Sequence, residues 1–365
     1  MASPLSSLSS YFNFASSKKG GSVIGIDFGS SSIKVVQLKL EGQTVVLETY
    51  GELQLGPYAK LEVGRATNLS AASMAEALTD ILEEATVTTR EAGVAVPYAS
   101  SFVAVIELPT KDQDALSTII PMEARKYVPV PIAQVTLDWF VIPERKGHEG
   151  DARSTRVLLA AIHNEALAKF KSVIKGAGVK SAFTEIEIFS TIRSSIQNHQ
   201  DTVMVIDIGA ASSKLYIVSL GVVQATHSVN VGGQDLTSSL SKSLELSMAE
   251  AEEIKRQVGL TAVDNPRIER ALSFPLERIF SDARRMLALH EQEKGVMPAS
   301  LVILSGGGAV LHGMEEYAEH ALGRKVVRAN PFSKVSYPAF LEKILVEIGP
   351  SFAVAMGVAL RRLEE

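Results

Sequence analysis

Two short segments place an aspartate, a glycine, small residues and a lysine in the same order. The first runs Ile24-Gly25-Ile26-Asp27-Phe28-Gly29-Ser30-Ser31-Ser32-Ile33-Lys34. The second runs Met204-Val205-Ile206-Asp207-Ile208-Gly209-Ala210-Ala211-Ser212-Ser213-Lys214. Asp27 and Asp207, Gly29 and Gly209, and Lys34 and Lys214 stand at one constant separation of about half the chain, which points to a duplicated domain, not a solenoid. Glycine lets a backbone approach an anion closely, and successive amides with serine hydroxyls bind phosphate oxygens. An aspartate at the end of each strand suits Mg²⁺ held through water beside those phosphates. Two such turns facing across a cleft would grip a nucleoside triphosphate from both sides. A single copy would read more simply as an ordinary turn.

A third candidate is Ser305-Gly306-Gly307-Gly308-Ala309, which follows the apolar strand Leu301–Leu304 and is expected to open a helix. A base or sugar-phosphate can lie on such a glycine run close to helix N-terminal amides. Gly232-Gly233 likewise precedes a helix, and Glu252 and Lys255 fall three apart on one helical face. That pair either reaches a ribose or forms a solvated ion pair. Neither a dinucleotide fingerprint nor a P-loop occurs, nor does H-E-x-x-H or G-x-S-x-G. The seven histidines lack metal-ligand spacing, and Trp139, in an apolar strand, is expected in the core.

Elements that position these residues follow from the pattern. β-branched flanks and glycine-serine turns make each repeat a strand, tight turn and strand. The second strands, Ile33–Leu40 and Leu215–Leu220, lack polar alternation, so both sheets should be covered on both faces by helices. Helices are expected over Ala71–Ala85, Asn164–Gly176 with Gly176 as its cap, Gln234–Leu246, Met248–Val258, Pro275–Glu293 and Phe352–Leu363. Strands alternate with them at Val94–Val96, Phe102–Leu108, Val135–Ile142, Arg156–Ile162 and Ser300–Leu304. The result is an α/β fold with mixed sheets. Between Tyr98 and Ile162 a strand, a helix around Asp114–Tyr127, a turn at Pro129 and Pro131 and two more strands read as a small inserted α+β module. The charged loop Glu144–Thr155 separates its last two strands.

The chain has 365 residues, 46% hydrophobic and 21% charged, which is ample for two packed domains. It has no cysteine, which excludes disulfide scaffolds, thiolate metal sites and cysteine nucleophiles, and fits a reducing compartment. A net charge of −5 offers no global field for nucleic acid. The apolar stretches Val157–Ile162 and Leu215–Val223 are shorter than the roughly 20 residues a bilayer needs. Residues Ser3 to Gly21 read as a flexible serine-rich leader whose aromatics Tyr11, Phe12 and Phe14 could dock elsewhere.

Taken in order, the paired hairpins and the late glycine run resemble the actin-like ATPase superfamily. Finer details resemble its PilM family of type IV pilus assembly proteins, in the branch that includes FtsA. The first hairpin through Val35-Val36 is similar to the family's opening, and Glu123-Ala124-Arg125-Lys126-Tyr127-Val128-Pro129 with Leu137-Asp138 to the signature of its inserted subdomain. Gly232-Gly233 with Leu236-Thr237, Ala251-Glu252 to Lys255, and Phe352 to Arg361 match later regions.

The resemblance implies a duplicated, ribonuclease H-like actin fold. Subdomain IA would comprise 22–98, 163–200 and 349–365, and the inserted IC 99–162. IIA would comprise 201–230 and 299–348, and IIB 231–298. ATP would lie between the halves against Gly29, Ser30, Ser31, Ser32, Lys34, Gly209, Ala210, Ala211, Ser212, Lys214, Gly232, Gly233, Glu252, Lys255, Gly306, Gly307 and Gly308. Mg²⁺ would sit near Asp27 and Asp207, and Glu187 would orient the attacking water. The implied partner is the N-terminal cytoplasmic peptide of a PilN-like membrane protein, gripped between IA and IC. Self-association, a cytoplasmic location at the inner face of the membrane and at most weak ATPase activity complete the expectation. Ile188 stands where relatives often have proline, His227 where they often have arginine, and Ala210 and Ala211 replace hydroxyl ligands. The alternatives are an FtsA-like cell-division filament protein, disfavoured by an ending at Arg361–Glu365 that leaves no room for a membrane anchor, and a small-molecule kinase, for which no aspartate base stands out.

Overall fold

The protein is described by a computed structural model over residues 21–364, apart from 111, 144–153, 262–264 and 294–295. The leader up to residue 20 and most of the 144–155 loop lie outside the described residues.

The first half opens with β1 (Ser22–Phe28), β2 (Ser32–Glu41) and β3 (Thr44–Gln54), then α1 (Ala71–Glu84) and β4 (Glu91–Val96). An excursion follows through β5 (Ser101–Leu108), α2 (Gln113–Glu123), β6 (Val135–Val141) and β7 (Thr155–His163). The half closes with α3 (Asn164–Gly176), β8 (Lys180–Ile186) and α4 (Glu187–Ser195). The second half runs β9 (Thr202–Ile208), β10 (Ser213–Ser219), β11 (Val222–Val229), α5 (Gly233–Leu244), α6 (Met248–Val258) and α7 (Pro266–Gln292). It ends with β12 (Leu301–Ser305), α8 (Met314–Leu322), β13 (Val326–Arg328), α9 (Glu342–Ile348) and α10 (Ala353–Glu364).

The described strands form three sheets. Two have the same plan: β3-β2-β1-β4-β8 and β11-β10-β9-β12-β13, each an antiparallel meander extended by two parallel strands. β9 is buried along its whole length and β1 along all but its first residue, which is why their sequences are continuous apolar runs. The third sheet, β5-β7-β6, is antiparallel and packs Ile106, Leu108 and Leu159 against Leu116 and Ile120 of α2. Trp139 lies half-buried against that small core.

α10 leaves the second half to pack on β1 and α4 of the first. Glycine makes this possible at two points. A Cβ on Gly25 would run into the Ala355 carbonyl, and one on Gly357 into the Ser190 carbonyl. A buried charge network pins the same junction: Glu185 accepts from Arg193 at 2.7 Å, from Arg361 at 2.7 Å and from Ser190 at 2.6 Å. Arg193 also donates to the Gly357 carbonyl at 2.8 Å. The helical run Ala339–Leu363, which contains the expected helix Phe352–Leu363, is long and apolar enough to cross a bilayer by composition; 67% of its most apolar window is buried inside the protein.

Several expected boundaries shift. The long helix begins at Pro266, not Pro275, because Asn265 caps it by accepting from the Arg267 amide and proline is well tolerated at the first helical position. Pro275 then sits in the helix interior at a cost of about 3 kcal/mol. Burial of Ile268, Ala271 and Leu272 on the same face as Leu276 and Ile279 offsets it. Gly176 is the last residue of α3 rather than its cap, and Gly178 takes the left-handed conformation. α2 stops at Glu123, two residues beyond its internal Pro121, and a 3₁₀ turn carries Ala124–Lys126.

Candidate functional site

Register decides what the repeat presents. In the first hairpin Asp27 lies directly opposite Lys34, and in the second Asp207 lies directly opposite Lys214. Opposed residues share a sheet face, so each half offers a carboxylate and an ammonium to the same side. Both sides open into one cavity of about 420 Å³ between the halves, within the range of cofactor pockets.

Most of the candidate residues meet there. Asp27, Gly29, Ser30, Ser31, Ser32 and Lys34 line it from the first half, joined by Glu187 from the start of α4. Asp207, Gly209, Ala210, Ser212 and Lys214 face them from the second half. Gly233, Glu252 and Lys255 line one end, with Gly306, Gly307 and Gly308 beside them. Two candidates fall outside. Ala211 is exposed at the outer tip of its turn. Gly232 supports the second hairpin from below: a Cβ there would meet the Ala210 and Gly209 carbonyls. The first amides of α5 are already used, Gly233 donating to Gly209 and Gln234 to Ala210, both at 2.9 Å.

The glycine run opens a single 3₁₀ turn, Gly307–Val310, instead of the expected α-helix. Its first glycine is packed tightly. Gly306 has φ +81°, and a Cβ on it would strike the Asp207 carboxylate. The Gly306 amide donates to the Pro350 carbonyl at 2.9 Å, tying the run to the segment before α10.

Charge is concentrated at the centre. Lys214 Nζ lies 3.3 Å from Glu187 Oε1 and 3.5 Å from Asp207 Oδ2. Burial would lower the Lys214 pKa, but Asp207, Glu187 and Asp27 together hold it well above its usual value. Burial pushes Asp27 up to about 7; Lys34 pulls it down, Glu187 raises it, and Lys214 and Asp207 act in opposite senses. Lys34 is engaged elsewhere, donating to Ser32 Oγ at 2.7 Å and pairing with Glu52 at 3.1 Å. Glu187 also accepts the Tyr98 amide at 2.7 Å, so the cleft touches the root of the β5-β7-β6 excursion.

The far end is a second polar cluster. Glu252 accepts from Lys255 at 2.6 Å, from Thr237 at 2.6 Å and from Arg256 at 2.8 Å. Side-chain exposures of 13% and 16% remove Lys255 and Glu252 from the class of solvated surface pairs. Burial alone would raise the Glu252 pKa, and Lys255 reverses it to a net lowering. A loop of the first half reaches over to this cluster, where the Ala66 amide donates to Gln234 at 2.8 Å.

Glu52, Gln54, Gln234, Arg256 and the segment Glu347–Val354 line the cavity without having been singled out. Glu52 is the β3 partner of Lys34 and needed the strand register to be found. Arg256 is one helical turn from Glu252, a signal present in the sequence. The 347–354 segment arrives from the distant C-terminus with no local motif.

Chemically, the arrangement is an anion cradle with two lysines and three acidic groups at its centre. Oxygen donors from Asp27 and Asp207 suit a hard cation such as Mg²⁺, which commonly takes one or two carboxylates and keeps water and phosphate ligands. Among the described residues no three His, Cys, Asp or Glu side chains converge as a ready metal cage. The donor set therefore fits a magnesium ion carried in on phosphates.

A family model described as type IV pilus assembly protein PilM matches residues 25–363. This chain belongs to the PilM family. A chain of a solved PilM–PilN type IV pilus biogenesis complex is 26% identical to this PilM-family protein with a TM-score of 0.78, covering 94% of this chain and 98% of that one. The ethanolamine utilization protein EutJ from Carboxydothermus hydrogenoformans (15% identity, TM-score 0.55, 95% and 92% coverage) shares the fold. So does MreB5 of Spiroplasma citri, solved bound to AMPPNP (15%, TM-score 0.52, 94% and 96%). The architecture is thus the duplicated actin-like fold. The cell division protein FtsA of Neisseria meningitidis serogroup B is 25% identical over 328 residues, 76% of this chain and 79% of that protein.

Proposed function

We propose that this PilM-family protein binds ATP between its halves and, in the type IV pilus assembly machine, grips the cytoplasmic N-terminal peptide of a PilN-like inner-membrane protein. The observation that carries the nucleotide reading is the pair of matched hairpins facing each other across one cavity. The hairpin turns and Ser30–Ser32 would hold phosphate oxygens, with Lys34 and Lys214 neutralising them. Mg²⁺, when bound, supplies charge neutralisation and fixes phosphate geometry; Asp27 and Asp207 would hold it, largely through water. Glu252 and Lys255, beside Gly306–Gly308, would take the nucleoside end. Glu187 would orient water, and because its carboxylate is already engaged by Tyr98 and Lys214, turnover is expected to be slow.

The partner reading is supported by the family and by a similar chain solved in a complex with PilN. On this reading the subdomains follow the boundaries given above, and the peptide lies between the first half and the β5-β7-β6 module. Tyr127, in the segment that resembles the family signature, and Met122, just before it, expose 43% and 60% of their surface, offering apolar contact to an extended peptide. The protein would then work at the cytoplasmic face of the inner membrane through its partner.

Fluorescence anisotropy with a labelled N-terminal peptide of a PilN-like protein tests both parts. Binding is expected, and it should tighten with Mg²⁺-ATP, since a ligand shifts only an equilibrium it discriminates. No binding in either condition removes the partner, and equal affinity in both removes the gating. The FtsA similarity keeps a second reading, a membrane-associated filament. ATP-dependent co-sedimentation with lipid vesicles, in the absence of any partner, would favour it.

A further inference from the structure

The two halves use their matched lysines differently. Lys34 turns to Ser32 and Glu52, on its own sheet, at 2.7 and 3.1 Å. Lys214 turns instead into the centre of the cleft, to Asp207 at 3.5 Å and across the interface to Glu187 at 3.3 Å. Its side chain is 14% exposed, and Asp27 lines the same space. An ammonium thus stands between two carboxylates, Asp207 and Glu187, that would help to hold a hard cation.

We infer that Lys214 is the resident counter-ion of this carboxylate cluster, a tethered cation that competes with Mg²⁺ in the nucleotide-free protein and is displaced when the metal enters. Two carboxylates as close as Asp207 and Glu187, with Asp27 nearby, would repel one another in a partly buried site that held no cation. The free protein avoids that by using its own lysine. Bare Mg²⁺ must expel an ammonium already held by two carboxylates, so it binds weakly alone. Metal arriving with a triphosphate offers Lys214 new anionic partners as it leaves Asp207 and Glu187, so the exchange conserves charge pairing. Lys214 is here a positioning residue that makes metal entry conditional on the nucleotide. The inference rests on the nucleotide reading for the identity of the metal site, but its test does not require ATP.

The experiment is Mn²⁺ binding to the nucleotide-free full chain, followed by electron paramagnetic resonance, alongside thermal unfolding in EDTA and in Mg²⁺. Wild type should bind Mn²⁺ weakly and show the same midpoint in both buffers. Lys214→Gln should bind Mn²⁺ at least about tenfold more tightly, melt lower in EDTA, and regain its midpoint in Mg²⁺. Lys214→Arg, which keeps the charge, should behave as wild type. If Lys214→Gln fails to fold in EDTA, folding on addition of Mg²⁺ is the same rescue. Equal Mn²⁺ affinity in wild type and Lys214→Gln, or no response of the variant to Mg²⁺, overturns the inference. ATP binding to wild type is scored separately, so an empty cleft would sink the nucleotide reading while the Mn²⁺ comparison still judges Lys214.

Discussion

Glu185 is 4% exposed, with Arg193 and Arg361 both at 2.7 Å. Burial would raise its pKa, but the two guanidinium groups outweigh burial and hold it below the ordinary carboxylate value of 4.5. The sign of the pH effect follows. A carboxylate with a depressed folded pKa contributes stability that is present above its unfolded value and lost as pH falls through the folded one. Glu185→Gln is expected to destabilise the protein by about 3–5 kcal/mol at neutral pH, because it leaves buried arginines under-compensated. It should also flatten the loss of stability below pH 4.5. Urea unfolding of both proteins across acid pH checks this, and a variant with wild-type stability would show the network to be dispensable. Asp27 moves the opposite way, because burial raises it and the two nearby lysines are countered by two further carboxylates.

At the scale of elements, the site depends on how closely α10 can approach β1 and α4. Gly25 and Gly357 leave no room for a side chain. Gly357→Val should force α10 away from Ser190 and cost about 3 kcal/mol or more, as overpacking does at rigid backbone contacts. Because the segment before α10 receives the Gly306 amide through Pro350, the same variant should also weaken nucleotide binding. Thermal unfolding and a nucleotide titration measure the two effects, and a stable variant with unaltered packing would contradict this account. Here the sequence was legible in part. The duplicated hairpins were plain because Asp, Gly and Lys recur at one separation, and their antiparallel register then follows from a tight turn. Pro275 misled because local helix rules stop at a proline, whereas the apolar face from Ile268 to Ile279 is continuous and buried. Gly232 looked like a ligand-binding glycine, yet the pressure on it comes from the hairpin carbonyls beneath. Glu52 and the 347–354 lining are set by pairing and chain return over long separations, which no local pattern encodes.

At the scale of the whole molecule, the two halves meet in part through side chains that line the cavity and in part beside it. Lys214 reaches Glu187, Gln234 receives the Ala66 amide, and Tyr98 joins Glu187 on one side and Thr226 of β11 on the other. A ligand filling the cavity would therefore hold the halves together. Ligand at about one hundred times its Kd should raise stability by about 2.7 kcal/mol. The most direct measurement is an equilibrium titration of Mg²⁺-ATP against wild type, Asp27→Ala and Asp207→Ala by calorimetry. The account predicts one nucleotide per wild-type chain and at least about a tenfold loss of affinity in each variant, or 1.4 kcal/mol. Absence of binding to wild type, or unaltered affinity in both variants, would contradict it.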